Sequence, residues 1–401
     1  MVQVLSKRAV SKRAGLAVLA AAAALLPALA QAQGVDRVKV GMIATLSGQS
    51  AVLGQHSRDG FQLAIKTLGG KLGDLPAEVI VTDDELKPDV GVARARALVE
   101  RDQVNFVVGP IFSNVLQAIL KPVADAKTFL ISPNPGTSNF AGRQCSPYFF
   151  VTSYQNDQPH GAMGQHAQDQ NMKRVYLIAP NYQAGRDALA GFKRYYKGEV
   201  VDEVYVPLGT LDFQAEIAKI AAARPEAVYV FMPGGMGVNF VRQFRQAGLA
   251  DRMVFLSGFT VDESTLPAQG DAALGFFGGS NWAPNLDTPE NKAFVAAFEK
   301  EYGYVPAAYA FYAYDAAMLL DSVVRKVKGN LKDENAVRAA LREANFKSLR
   351  GDFKFNTNGY PIQDFYVVRV AKRADGKFQT EIERKVFDDN ADPYVGECPL
   401  K

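Results

Sequence analysis

Only two of the 401 residues are cysteine and only three are histidine. A disulfide-dense scaffold or a cysteine-rich metal site needs more than that. His56, His160 and His166 stand at no metal-ligand spacing from Cys145 or Cys398, so neither a metal nor a cofactor is expected. Absent too are GxGxxG, GxxxxGK[ST] and GxSxG, the signatures of dinucleotide, nucleoside-triphosphate and serine-hydrolase chemistry. Past residue 32, no stretch approaches the roughly 18 apolar residues that a membrane span needs. The chain also lacks the basic footprint of a nucleic-acid partner. Its formal charge is +3, but four of its 45 basic residues are Lys7, Arg8, Lys12 and Arg13, near the start. The remainder carries 41 basic against 42 acidic residues, a balance of −1.

Those four basic residues precede an Ala/Leu-rich run, Ala14 to Ala30, closed by Ala30-Gln31-Ala32. Basic, apolar and small-residue regions in that order predict a cleaved signal peptide over 1–32 and an exported protein. No cysteine follows the run, which argues against a lipid-modified N-terminus. Export permits a Cys145–Cys398 bridge, the alternative being two unpaired thiols. About 370 residues remain, more than one core usually holds, so two domains are expected.

The clearest pattern lies between Val104 and Gly142. Val104 to Val108 and Thr128 to Ile131 are short β-branched or apolar runs. Val115, Ile119, Leu120 and Val123 recur between them at helical spacing. Two strands joined by a helix form a parallel βαβ unit, so both following turns lie at strand carboxyl ends, where such sheets bind ligands. The first turn carries Ser113 and Asn114; the second carries Asn134, Gly136, Thr137 and Ser138 between or after Pro133 and Pro135. Free amides and hydroxyls at a helix start suit a carboxylate. The same residue types also cap helices and form turns for local reasons, and spacing alone leaves both readings open.

Strands over 38–44, 79–81, 174–179, 200–206, 227–232 and 253–256 alternate with helices over 55–68, 90–101, 187–196, 213–223 and 238–246. The alternation predicts an α/β fold of two doubly wound parallel-sheet lobes. A third block has helices over 289–302, 307–327 and 334–343 and strands over 348–355 and 365–371. It holds too little strand for its own sheet, and is expected to cover the first lobe and end on the second.

Several segments resemble the periplasmic binding proteins of the leucine/isoleucine/valine type, receptors of ATP-binding-cassette importers. They are Val40-Gly-Met-Ile-Ala-Thr-Leu-Ser-Gly48, Val108-Gly-Pro-Ile-Phe-Ser113, Ile131-Ser-Pro133, Asn181-Tyr-Gln-Ala-Gly185, Tyr302-Gly-Tyr-Val-Pro306 and Tyr312-Ala-Tyr-Asp-Ala-Ala317. The resemblance spans the chain after the signal segment. It implies two lobes, 36–152 plus 284–355 and 153–283 plus 356–401, joined by crossings near 149–155, 279–284 and 355–363. It also implies a ligand in the cleft, closure on binding, membrane permease and ATPase partners, and a monomer. Carboxylate contacts fall on Ser113 and Thr137 with neighbouring backbone, and the closing aromatic falls on Tyr182, a residue that could otherwise be a plain turn tyrosine.

One departure is informative. Amino-acid binders of this family place a carboxylate after the fourth strand of the second lobe to hold the ligand ammonium; here Ser257-Gly-Phe-Thr260 puts Phe259 there. Asp262 and Glu263 come a few residues late. An ammonium buried without a counter-charge costs several kcal/mol, whereas an aromatic side chain offers a stacking face. The expected ligand is therefore a small carboxylate with an apolar or aromatic body. Ser113, Asn134, Gly136 and Thr137 would hold its charge, and Tyr154, Tyr182 and Phe259 would pack its body. Arg186 is a second charge contact only if it turns inward, and Phe259 could instead be core. An enzyme is not expected: Asp83-Asp84-Glu85 reads more simply as a charged strand exit. A branched-chain amino-acid binder and a ligand-sensing module are the alternatives.

Overall fold

The computed structural model describes residues 34–400; the signal-peptide expectation lies outside them. The chain opens with β1 (Val38–Ala44), α1 (Ala51–Thr67), the hairpin β2 (Lys71–Leu72) and β3 (Leu75–Asp83), and α2 (Pro88–Arg96). β4 (Phe106–Val108), α3 (Ser113–Asp125), β5 (Phe129–Ser132), α4 (Ser138–Ala141) and β6 (Phe149–Val151) follow. These strands form one sheet in the order β2-β3-β1-β4-β5-β6, parallel except for the hairpin.

A second series runs α5 (Asp157–Asp169), β7 (Arg174–Pro180), α6 (Gln183–Tyr195), β8 (Glu199–Val206), α7 (Gln214–Ala223) and β9 (Ala227–Val230). It continues through α8 (Gly235–Gln246), β10 (Val254–Ser257), α9 (Leu266–Gln269) and β11 (Phe277–Ser280). α10 (Pro289–Tyr302), α11 (Ala308–Lys326) and α12 (Glu334–Glu343) come next, then β12 (Lys354–Phe355), β13 (Pro361–Lys372) and β14 (Phe378–Asn390). The second sheet has the order β12-β13-β11-β10-β9-β7-β8, with β14 on β13. β7 to β11 pair in parallel, and β13 joins them antiparallel. The fold is thus the expected α/β pair of parallel-dominated sheets.

The buried faces explain the sequence periods. Val38, Val40 and Met42 of β1 enter a core with Ala313, Ala316, Leu320 and Val324 of α11, while Ile43 and Ala44 enter a separate cluster. A strand covered on both faces reads as a continuous apolar run, as residues 40–44 of β1 do. The third block accordingly lends α11 to the first sheet and β13 and β14 to the second.

Several boundaries differ from expectation for an identifiable reason. α1 starts at Ala51 rather than 55, and α6 at Gln183 rather than 187. Each has a glycine in its first turn, where helix propensity argues against it. A Cβ on Gly54 would sit 2.0 Å from the Thr45 carbonyl oxygen, and one on Gly185 1.8 Å from that of Pro180. Close packing of helix start on strand end overrides propensity at both. The strand expected over 348–355 shrinks to Lys354–Phe355, because Ser348 and Gly351 form an isolated bridge that turns the chain instead. α5 had no apolar period to announce it, and β6, β11 and β14 are further elements that patterning did not mark.

Candidate functional site

The turns after β4, β5, β7, β9 and β10 meet between the two sheets around a small cavity. It is nearly shut: the centre of a water molecule has about 20 Å³ to occupy, room for roughly one water. A larger recess of about 1100 Å³ lies on the surface beside Glu290, Glu343 and Phe346. That recess is away from the strand ends, and the chemistry described below belongs to the smaller space.

Of the residues expected to meet a ligand, Ser113, Asn134, Tyr154, Tyr182 and Phe259 line the cavity, together with Tyr309. Ser113 opens α3, whose preceding residue, Phe112, provides no capping side chain. The first amides of the helix make no backbone hydrogen bond, the first return bond being Leu116 N–H to Phe112 O. These unpaired amides are the positive end of a 13-residue helix facing a buried space. No capping side chain covers the start of α6 either, where Tyr182 precedes Gln183.

Asn134 has less to offer than its position suggests. Its Nδ2 donates to Ile111 O at 2.6 Å and its Oδ1 accepts from the Tyr154 hydroxyl at 3.0 Å. Gly136 and Thr137 do not line the cavity. The Gly136 amide donates to Asn156 Oδ1 at 2.9 Å, and a Cβ there would lie 2.0 Å from Tyr154 O. Thr137 is fully buried, its Oγ1 without a partner and its carbonyl accepting from Tyr360. Both residues therefore stand behind the wall and shape the turn. Arg186 is exposed and donates to Asn181 Oδ1 and Gln183 Oε1, outside the cavity.

The rest of the wall mixes six aromatic side chains with Leu53, Ile111, Ala184, two prolines and the polar Asn156. Phe259 stacks on Tyr154 with centroids 4.9 Å apart, and Tyr182 stacks on Phe231 at 6.3 Å while touching Phe112 at 6.2 Å. Phe112, Phe231 and Tyr309 were not anticipated. Phe112 adjoins Ser113, a signal that could have found it; Phe231 falls at the end of a strand expected to be core, and Tyr309 lies in the first turn of α11, far away in sequence. His160 packs behind Phe231 and Phe259, and burial pushes it down to about 3, so it is neutral. Of the late carboxylates, Glu263 turns to β14, accepting from Thr380 N–H at 2.6 Å and its Oγ1 at 2.7 Å. Asp262 accepts from Ser264 and leaves Oδ2 unpartnered. Neither lines the cavity. Asp83-Asp84-Glu85 is a strand exit, with Asp84 bonded to Thr45 Oγ1 at 2.7 Å.

Two seams close the cavity. At one, Asp187 of α6 accepts from the Ser138 hydroxyl at 2.7 Å and amide at 3.2 Å, across the gap between sheets. Asn156 Nδ2 links that carboxylate, at 3.0 Å, to Ser113 Oγ at 3.3 Å. Burial, with the charge of Asp157 nearby, pushes Asp187 up to about 6. At the other seam, Gly235 starts α8 so close to Gln49 that a Cβ would meet its Cβ and carbonyl oxygen at 3.0 Å. Beneath the cavity the segments at 153, 281 and 363 converge: Ser153 O accepts from Asn281 at 3.1 Å, Gln363 at 2.7 Å and Arg350 at 3.3 Å.

A family model described as periplasmic binding protein matches residues 37–377. The chain belongs to that family. It is 29% identical over 383 residues to "Leu/Ile/Val-binding protein homolog 6" of Brucella melitensis, covering 93% of this chain and 97% of the other. A solute-binding protein of an ABC transporter from R. palustris, solved in complex with benzoate, is similar at 30% identity and TM-score 0.86. That match covers 91% of this chain and 100% of the other. A second, from Rhodopseudomonas palustris BisB5 in complex with 3,4-dihydroxy benzoic acid, shares 31% identity at TM-score 0.84 over 90% and 99%. The protein is thus a periplasmic solute-binding protein of the ABC type, not an enzyme. Membership implies a small-molecule ligand and permease and ATPase partners. Cys145 and Cys398 are bridged, as export would permit. Among the described residues, no helix is long and apolar enough to cross a membrane.

Proposed function

We propose that this receptor delivers a small carboxylate with an aromatic or apolar body, held between lobes 36–152 plus 284–355 and 153–283 plus 356–401. The observation that carries the reading is the uncapped start of α3 beside Ser113, facing a cavity whose wall carries six aromatic side chains. Ser113 and the first amides of α3 would meet the carboxylate, and Tyr154, Tyr182 and Phe259 would sandwich the body. Asn134, Gly136 and Thr137 would hold the turn in place. Neutral His160 and the turned-away Glu263 leave an ammonium no obvious counter-charge at Phe259. The neighbours solved with benzoate and 3,4-dihydroxy benzoic acid support the ligand class. The walls must part to admit a ring, consistent with a hinge at the 153, 281 and 363 node.

The second reading, a branched-chain amino acid, is favoured by the names of the relatives. Calorimetric titration with benzoate against leucine and valine separates the two. Benzoate heat with none from leucine supports the aromatic-acid reading; tight leucine binding with no benzoate signal overturns it.

A further inference from the structure

Asn156 stands immediately before Asp157, the first residue of α5, a place from which an asparagine ordinarily caps its helix. Its side chain makes no capping bond. The residue is 3% exposed, lines the cavity and turns its amide group to three partners on other elements. Oδ1 accepts from the Gly136 amide at 2.9 Å, while Nδ2 donates to Asp187 Oδ2 at 3.0 Å and to Ser113 Oγ at 3.3 Å. The Asn156 backbone amide donates to Gly136 O at 2.7 Å, which fastens the residue twice to the turn after β5. Exchanging the side-chain oxygen and nitrogen would set an acceptor against a carboxylate and a donor against an N–H, so one orientation is fixed. Asp187 anchors it further by accepting from Ser138 twice and from Gln183 Nε2 at 2.7 Å. The Ser113 hydroxyl has no hydrogen bond among the described residues besides the one it receives from Asn156. An oxygen held as an acceptor on one side keeps its own proton for the other, and Ser113 borders the cavity.

We propose that Asn156 is a positioning residue that fixes the Ser113 hydroxyl as a donor into the cavity, so that the site selects a charged carboxylate over the matching neutral carboxamide. The inference rests on the placement of the ligand carboxylate at Ser113 proposed above, and is independent of the choice between aromatic and branched-chain bodies. A carboxylate presents acceptors only, and both Ser113 and the first amides of α3 are met. A carboxamide seated there sets its NH2 group against one of those donors whichever way round it lies. Stranding a donor in this way discriminates more strongly than a small loss of contact area. Without Asn156 the hydroxyl is free to turn and accept from the NH2 group, and the penalty on the carboxamide shrinks.

The test is calorimetric titration of the wild-type protein, Asn156→Ala, Ser113→Ala and the double variant with benzoate and benzamide. The wild type is expected to favour benzoate, and the benzoate-to-benzamide ratio should fall about fivefold or more in N156A. It should fall in S113A as well, and adding N156A to S113A should lower it no further, because the two residues act as one unit. A merely structural role for Asn156 lowers both affinities together and leaves the ratio where it was. An unchanged ratio in N156A, or a fall in the double variant equal to the sum of the two single effects, would overturn the proposal. If N156A does not fold, Asn156→Ser is read in its place. Should leucine bind and benzoate not, the aromatic-acid reading fails while the proposal is decided by the same ratio for leucine and leucinamide. Failure of both carboxylates to bind would remove the anion site and the proposal with it.

Discussion

Phe259 holds φ at +57°, a region a bulky residue enters at a cost of order 1–3 kcal/mol. It does so on the cavity wall, stacked on Tyr154. A residue pattern cannot reveal that strain; the sequence signalled Phe259 only through its departure from the amino-acid binders. Nor could Glu263 be placed from sequence, since the Thr380 that receives it is 117 residues away. Burial, with the charge of Asp262 second, raises Glu263 to about 7 from an ordinary value of 4.5. A carboxyl raised on folding binds its proton more tightly in the native state. Its stabilising share is complete below about pH 4.5 and is lost as pH rises through about 7. Glu263→Gln should flatten the fall in melting temperature between those pH values, a contribution on the order of 3 kcal/mol. Melting curves of both proteins across pH 4–8 give the comparison, and parallel profiles would rule the carboxyl out as their cause.

The elements show where periodicity succeeds and where it misleads. α10 and α12 match their expected limits because a Thr288 cap, an Asp333 cap and an amphipathic stripe all mark them locally. α1 and α6 begin earlier than expected because the reason for their glycines is a carbonyl on another element. Closure is also a matter of elements: α6 reaches α4 through Asp187, and α8 meets the turn after β1 at Gly235. Asp187→Ala removes the hydrogen bonds from Ser138, and Gly235→Leu wedges the second seam. Each should weaken ligand affinity by about tenfold and raise the radius of gyration of the liganded protein toward that of an open form. Scattering curves and affinities that both match the wild type would mean the seams do not govern closure.

At the scale of the whole molecule, one buried ion pair braces the node where the chain passes between sheets. Arg350 contacts Asp315 at 3.3 Å with both side chains almost wholly enclosed, beneath Phe311 and Phe353. Removing one member strands the other charge, which typically costs about 3–5 kcal/mol. Arg350→Met should therefore lower the melting temperature sharply, and adding Asp315→Asn should recover part of the loss. A double variant no better than the single would assign the cost to lost packing. The bridge between Cys145 and Cys398 spans 253 residues and ties the end of the chain back beside the first sheet. Its loop length allows up to about 5 kcal/mol. The paired serine variant should melt several degrees lower under oxidising conditions and match the wild type once that is reduced.

The sequence by itself determined the two-sheet architecture, because strand and helix periods are set by which local faces must leave water. It also named five residues of the cavity wall: Ser113 and Asn134 because the turn following a parallel strand lies at the binding end of the sheet, and Tyr154, Tyr182 and Phe259 through the family resemblance and the departure from it. Tertiary structure alone decided that Asn134 spends its amide on Ile111, that Gly136 and Thr137 stand behind the wall, and that Tyr309 joins it. Those outcomes depend on partners brought close by folding, and hydrogen bonding and close packing act over ångströms in space whatever the separation along the chain.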